Sequence, residues 1–521
     1  MQRSLFAVSG IALGTLVLAT SVGCGAAAAQ GVAGPVWPTT QWQVSTPEEQ
    51  GIESAALANL IDFGKARSFD SLLIVRHGRI VLDAYYAPYA ADIPHVINSA
   101  TKSVTGTLTA IAIRDGLLDS LDHRMLDFFA DRGPVDADDR KKAITIANLL
   151  DMTSGLDWKE PLDGRPDSVI EMALSPDWVK FILDRPMSNA PGETFNYNSG
   201  NSQLVSAIIA KLTGMSARDY AKTKLFAPLG ITTSNWLQDP QGITIGGYDL
   251  SLLPRDMARI GYLYLRKGQW EDKQLLPAVW IDKVSHATLK MNLSSAPDLR
   301  YSSTFWALPD KQVYMAVGYH CEVILISSAL DIVAVVTARD FCPFGKLADY
   351  IAGAVKSDVG LPADPVGENL LASKLQDIST ERRIVAGAAP EIASAVSGKT
   401  YTFPANALNL KSLSLNFADP DPRYVLEIHN RDPTKPPFKL NGVLGTDGVY
   451  RKSEPTRIGI FATRGRWLDS RTFEIDRWLL GASEQQKWTL SFDGEMLRIA
   501  GKDMGGREVS IESSGLSTNP R

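Results

Sequence analysis

Asn98-Ser99-Ala100-Thr101-Lys102-Ser103-Val104-Thr105-Gly106 is the stretch that decides how the rest of the chain is read. It holds the chain's only Ser-x-x-Lys. If a helix begins here, Ser99 and Lys102 share a face one turn apart. The ammonium then lies within hydrogen-bonding reach of the hydroxyl. A serine hydroxyl is a poor nucleophile until a base or a cation activates it. A lysine at the start of an apolar helix loses hydration, which favours its neutral form. Small side chains flank both residues, and Gly106 lets the helix pack closely, so Lys102 is poorly explained as core filling. Taken alone, the tetrad reads equally well as a helix start with a solvated lysine.

A second stretch supplies context: Pro191-Gly192-Glu193-Thr194-Phe195-Asn196-Tyr197-Asn198-Ser199-Gly200. Pro-Gly opens a turn, and the polar and aromatic residues follow on a loop into a helix from Asn201. A phenol is normally protonated, with a pKa of about 10. A lysine ammonium beside it favours the phenolate, which can then take a serine proton. The other reading of Tyr197 is a loop tyrosine packed for its ring.

These two stretches, with Leu149-Leu150-Asp151-Met152-Thr153-Ser154-Gly155-Leu156-Asp157 between them, resemble the β-lactamase-related serine hydrolases. That group takes in class C β-lactamases, D-alanyl-D-alanine peptidases, esterases and 6-aminohexanoate-dimer hydrolases. The chain is most similar to the last branch, in Asn198-Ser199-Gly200 and in Gly246-Gly247 followed by Pro254-Arg255-Asp256-Met257-Ala258-Arg259-Ile260-Gly261. The resemblance covers about residues 45–358. It implies Ser99 as nucleophile, Lys102 as its activating partner, and Tyr197 as general base and later acid. Ser199 stands where penicillin-binding relatives often carry Asn, and joins the hydrogen-bond network.

The third motif departs from the pattern. Where β-lactamases carry Lys-Thr-Gly or His-x-Gly, this chain has Gly318-Tyr319-His320-Cys321-Glu322. Dimer-hydrolase relatives often show Gly-x-x-Gly-Gln, so Cys321 replaces a glycine and Glu322 a glutamine. Backbone donors survive such changes, and the Cys321–Glu322 stretch is expected to supply the second oxyanion N–H beside that of Ser99. His320 either orients substrate or caps a strand end. The implied activity is hydrolysis of small esters or amides through a Ser99 acyl-enzyme, with no cofactor and no metal. The alternatives are a non-catalytic penicillin-binding-like or ligand-binding protein, and a D-Ala-D-Ala peptidase or β-lactamase. A Ser-His-Asp triad is disfavoured, since no Gly-x-Ser-x-Gly elbow occurs. Trp158, Trp178 and Trp236 are read as insert residues outside the site.

The implied fold is α+β: a β-lactamase/transpeptidase-like antiparallel sheet with a helical insert, then a small barrel-like all-β domain. Apolar runs at 71–75, 79–85, 313–317, 323–326 and 332–338 suit strands at both ends with helices between. Residues 30–359 are expected to form the hydrolase domain, 360–396 a linker with a short helix near 368–376, and 397–517 the β domain. In the last, Leu413, Leu415, Phe417, then Tyr424, Leu426, Ile428, then Trp488, Leu490, Phe492 alternate with polar residues, as short strands do. This tail resembles the lipocalin-like domain attached to some relatives.

The 521 residues are too many for one average domain. A formal net charge of −5 and the lack of a basic run disfavour nucleic acid as a partner. Arg3, the uncharged apolar stretch 5–19 and Ala27-Ala28-Ala29 read as a signal peptide over 1–29, so the protein is expected to be periplasmic or secreted. Val22-Gly23-Cys24 resembles the end of a lipoprotein box, which leaves a lipid anchor on Cys24 open. In an oxidising compartment Cys321 and Cys342 can pair; the alternative is two partly buried thiols. Oligomeric state is not legible.

Overall fold

The computed structural model describes residues 35–516, apart from 134–136, 163–164, 292, 294–295, 342, 386–388, 419–421, 431, 433, 483 and 504–505. The export signal read over 1–29, with Cys24, and Cys342 lie outside the described residues.

The apolar runs become the middle of a nine-stranded sheet. Its order is Gln43–Val44, Arg79–Tyr85, Phe69–Arg76, Ile332–Ala338, Glu322–Ser327, Val313–Gly318, Phe305–Leu308, Arg300–Ser302 and Leu289–Lys290. Only the first pair is parallel. The two central strands, Phe69–Arg76 and Ile332–Ala338, are buried along their whole length. Helices cover both faces, so these strands read as continuous apolar runs rather than alternation. Leu73, Val75, Ile324, Ile326, Val333 and Val335 face one core, shared with residues of the helices Thr101–Arg114, Ser199–Thr213 and Pro254–Leu265. Leu72, Ile74, Val323, Leu325, Ala334 and Val336 face the other, shared with Ser54–Lys65 and Phe344–Ala354. Gly261 is required where the helix Pro254–Leu265 lies on the sheet. A Cβ there would sit 2.5 Å from Val333 and 2.7 Å from Ile324.

Three elements differ from their expected bounds for local reasons. The helix after the Ser-x-x-Lys begins at Thr101, and a 3-10 turn, Asn98–Ala100, carries Ser99 into it. The stretch Ala143–Asp151 reads as helical in sequence, but its helix contracts to Ile146–Leu150, because Thr145 and Asn148 form a capping box that fixes its start. The short helix near 368–376 extends to Pro365–Ser379, with Asp364 as N-cap and proline in its first turn. It is no free connector: Leu371 and Ile378 are buried, and Lys65–Asp377 (2.6 Å) and Lys374–Asp62 (2.8 Å) tie it to Ser54–Lys65. The short strands Gln43–Val44 at one edge, and Arg300–Ser302 and Leu289–Lys290 toward the other, have no pattern of their own and form only because the sheet offers them a partner.

The C-terminal region is all β. A five-stranded sheet runs Phe438–Val443, Arg423–Ile428, Leu410–Asn416, Thr400–Thr402, Gly515–Leu516. A six-stranded sheet runs in chain order from Arg451–Lys452 to Glu508–Glu512. A bridge from Gly445 to Arg464 links them. Tyr401, Leu413, Leu426, Phe473, Leu490, Phe492 and Ile499 fill the space between the two sheets with side chains.

This region grips the segment just before Ser99. Tyr89 and Ile93 pack with Tyr450, Ala462 and Leu480. The Arg339 guanidinium lies 4.1 Å over the Trp478 ring. Val96 N–H donates to the Gly481 carbonyl at 2.7 Å, only three residues before the serine. Gly481 has φ 78°, and a Cβ there would sit 2.0 Å from the Pro94 carbonyl oxygen. Gly481→Val is therefore expected to cost about 2 kcal/mol or more, seen as a lowered Tm. Gly345→Ala, at a position with open space, should leave Tm near wild type.

Candidate active site

Ser99 is half-buried in the middle of its 3-10 turn, two residues before the start of the helix Thr101–Arg114. That helix lies close to its neighbours because Gly106 admits Thr304: a Cβ would meet Thr304 Oγ1 at 2.4 Å. Ser103 Oγ adds a bond to the Thr304 carbonyl at 2.8 Å. The close fit carries Lys102 inward until it is 1% exposed.

The buried Lys102 Nζ lies within hydrogen-bonding distance of Ser99 Oγ (3.0 Å), Ser199 Oγ (2.8 Å) and the Gly247 carbonyl (2.9 Å). Those partners come from three distant parts of the chain. Asn198 caps the helix Ser199–Thr213 by accepting from Asn201 N–H, which sets Ser199 at the helix start. Gly247 is held through Gly246, whose N–H donates to Gln203 Oε1 (2.9 Å) and whose carbonyl accepts from Thr105 Oγ1 (2.8 Å). A Cβ on Gly246 would sit 2.0 Å from the Ser202 carbonyl oxygen, so only glycine lets the strap approach.

Tyr197 is 6% exposed and packs edge-on to Trp306 at 6.3 Å. Its phenol hydrogen-bonds with Ser99, and its ring face lies 4.8 Å from Lys102 Nζ. Thus Ser99, Lys102, Tyr197 and Ser199 converge.

The electrostatics run against the phenolate expected from sequence. Burial, reinforced by the Glu160 charge, pushes the Tyr197 phenol above its usual value; the bond with Ser99 opposes this only in part. Burial also pulls Lys102 down to about 8, against the opposing pull of Glu160. Desolvation penalises whichever form is charged, so it favours a neutral phenol and a neutral amine together.

Glu160 was not singled out by the sequence, and Trp158, read there as lying outside the site, is bonded to it. Glu160 Oε2 accepts from Ser199 N–H (2.7 Å) and from Trp158 Nε1 (2.7 Å), and Oε1 accepts from Ser199 Oγ (2.6 Å). Glu160 sits 39 residues before Ser199 in a stretch with no motif. The one signal was Trp-x-Glu directly after Ser154-Gly155-Leu156-Asp157.

The third-motif turn, Tyr319–Cys321, abuts the serine turn. A Cβ on Gly318 would lie 2.2 Å from the Ile97 carbonyl oxygen, and Asn98 Nδ2 donates to the Tyr319 carbonyl at 3.1 Å. His320 (φ 61°) and Cys321 (φ 66°) both occupy the left-handed region that glycine favours. A disulfide bond holds Cys321. The His320 ring packs 3.9 Å from that of exposed Tyr319, and burial lowers its affinity for a proton.

The Glu322 side chain is not brought to Ser99. It is 1% exposed, accepts a hydrogen bond from the Ala338 backbone and faces Asp70. Asp70 in turn binds Arg339 (2.7 Å) and lies 4.0 Å from His95 Nδ1. Strand alternation sends the Glu322 carboxyl into this interior cluster, leaving only its backbone at the turn. Among the described residues no group of three or more His, Cys, Asp or Glu is arranged to hold a metal ion, and no helix is long and apolar enough to cross a membrane.

Burial and the neighbouring Asp70 raise the Glu322 carboxyl well above its ordinary 4.5. A carboxyl whose folded value is raised contributes stability that is complete below its unfolded value and is lost as pH climbs through the folded one. Glu322→Gln removes that titration. The Tm difference between variant and wild type should therefore shift steadily in favour of the variant as pH rises above 4.5, measured by thermal denaturation.

A model of the Beta-lactamase family matches residues 57–320. The chain is 22% identical over 314 residues to a 6-aminohexanoate-dimer hydrolase from Paenarthrobacter ureafaciens, covering 56% of this chain and 79% of that one. It is 25% identical over 178 residues to Protein flp from Staphylococcus aureus (strain N315), covering 32% of this chain and 34% of that one. Among solved structures it is similar to EstCE1, a hydrolase with promiscuous acyltransferase activity. That match has a TM-score of 0.49 and 16% identity over 58% of this chain and 99% of that chain.

Proposed function

The chain belongs to the Beta-lactamase family of serine hydrolases, and from that premise we propose that it cleaves small esters or amides through an acyl-enzyme on Ser99. The observation that carries the reading is the 3.0 Å contact between Lys102 Nζ and a half-buried, reachable Ser99 Oγ. As free base, Lys102 takes the Ser99 proton while Oγ attacks the carbonyl carbon. The tetrahedral oxygen rests between the Ser99 N–H and an N–H of the turn running through Cys321 into Glu322. One such donor is worth roughly 3 kcal/mol in the transition state. The Tyr197 phenol gives its proton to the leaving alcohol or amine and recovers one from the Lys102 ammonium. Water then attacks the acyl-enzyme, losing its proton to the same pair, and Ser99 regains its own.

This assigns the base to the amine rather than to the phenol. Burial of both groups supports that choice, since it stabilises the neutral amine and the neutral phenol. The dimer hydrolase among the relatives supports amides as substrates. An exported location is part of the same proposal and rests on the uncharged apolar run at 5–19.

A fluorophosphonate should label Ser99, and Ser99→Ala should abolish turnover of p-nitrophenyl esters. Lys102 is an ammonium below its value and a free base above it. The rate should therefore rise with pH to a plateau, with its acid limb near 8. Turnover by Ser99→Ala at the wild-type rate, or an activity that declines through that range, would refute the mechanism.

A further inference from the structure

Three donors belonging to the protein converge on Glu160. They are Ser199 N–H and Trp158 Nε1, each 2.7 Å from Oε2, and Ser199 Oγ, 2.6 Å from Oε1. An ionised carboxylate only accepts. The Ser199 hydroxyl proton is therefore committed to Glu160, and Ser199 can offer Lys102 only a lone pair. The Gly247 carbonyl, 2.9 Å from Nζ, can likewise only accept. Of the three partners of Lys102, Ser99 Oγ alone remains able to give it a proton.

We infer that Glu160 is a positioning residue that, through Ser199, aims the lone pair of the neutral Lys102 amine at the Ser99 hydroxyl. A neutral amine has two N–H donors and one lone pair. The two donors go to Ser199 Oγ and the Gly247 carbonyl, and the lone pair is left facing Ser99. Without this arrangement the Ser199 hydroxyl could turn and spend its own proton on Lys102. The same three bonds turn the Glu160 oxygens toward the protein, so the carboxylate serves the base rather than a substrate cation. The inference rests on Lys102 acting as base, as proposed above.

Charged and titratable groups around the pair are few. Glu160 is the charge that bears on Lys102. The phenols of Tyr197, Tyr248 and Tyr301 feel the same carboxylate, with Asp249 beyond Tyr248 and Asp151 beyond Tyr301. Burial holds all three phenols above their usual value, so they keep one charge state across the pH range in which Lys102 titrates.

The test is the pH profile of p-nitrophenyl acetate hydrolysis by the full chain, from about pH 6 to about pH 10, on both sides of the Lys102 transition. In Glu160→Gln the negative charge that favours the ammonium is gone, so the acid limb should move to lower pH. The amide oxygen can take the two donors now on Oε2, and the amide nitrogen then donates to Ser199 Oγ. That frees the Ser199 proton to compete for Lys102, and the plateau rate should fall about tenfold or more. Adding Ser199→Ala to Glu160→Gln removes the competitor and should restore part of the rate, which a merely structural role would not do. Glu160→Asp keeps the charge on a shorter arm. It should hold the limb at its wild-type position with a reduced rate, and it serves as the test if Glu160→Gln does not fold. An unmoved limb or an undiminished plateau in Glu160→Gln would overturn the inference. So would a double variant no faster than the single, or a moved limb in Glu160→Asp. A wild type with no acid limb would overturn the Lys102 mechanism and this inference with it. A normal wild-type limb with no Glu160→Gln shift would overturn this inference alone.

Discussion

An amine held out of water must find protein acceptors for its protons, and much of this fold can be understood from that demand at Lys102. Burial of an unpaired charge costs far more than one hydrogen bond returns. The protein meets the cost with Ser99, Ser199 and the Gly247 carbonyl, brought from three separate stretches. Each is fixed in turn by something local. The serine sits on a 3-10 turn, Ser199 begins a helix capped by Asn198, and Gly247 rides on a glycine strap bonded to Gln203 and Thr105. The same burial that makes the amine costly also lowers its proton affinity to about 8, which brings its free base within reach of mildly alkaline pH.

The surrounding architecture turns this local arrangement into a rigid one. The sheet is covered on both faces, and the helix bearing Lys102 is wedged between the sheet and the helical insert. The serine turn is held on one side by Gly318 and Tyr319 and, a few residues upstream, by Gly481 of the C-terminal β region. That region has a core filled with its own side chains. Its visible contribution to the site is therefore mechanical: it holds the backbone that leads into Ser99.

Two acidic groups near the site, half-buried Glu160 and buried Glu322, have different surroundings. Glu160 accepts three hydrogen bonds, from Ser199 N–H, Trp158 Nε1 and Ser199 Oγ. Glu322 has one oxygen without a hydrogen-bond partner and Asp70 nearby, so burial favours its protonated form. The difference lies in the number of donors each finds, which residue type alone does not reveal.

The sequence by itself determined the Ser-x-x-Lys, the Tyr197 loop, the central strands and the alternation of the C-terminal strands. Each of these is a short-range pattern set by helix or strand period. Only the tertiary structure decided that Glu160 meets both Ser199 and Trp158, that the Glu322 carboxyl turns inward, and that burial raises the Tyr197 phenol while it lowers the Lys102 amine. Those outcomes depend on which distant groups share one dry space, and neither residue spacing nor composition carries that information. The short edge strands and the extended helix Pro365–Ser379 were hidden for a related reason: what stabilises them is the surface they dock on.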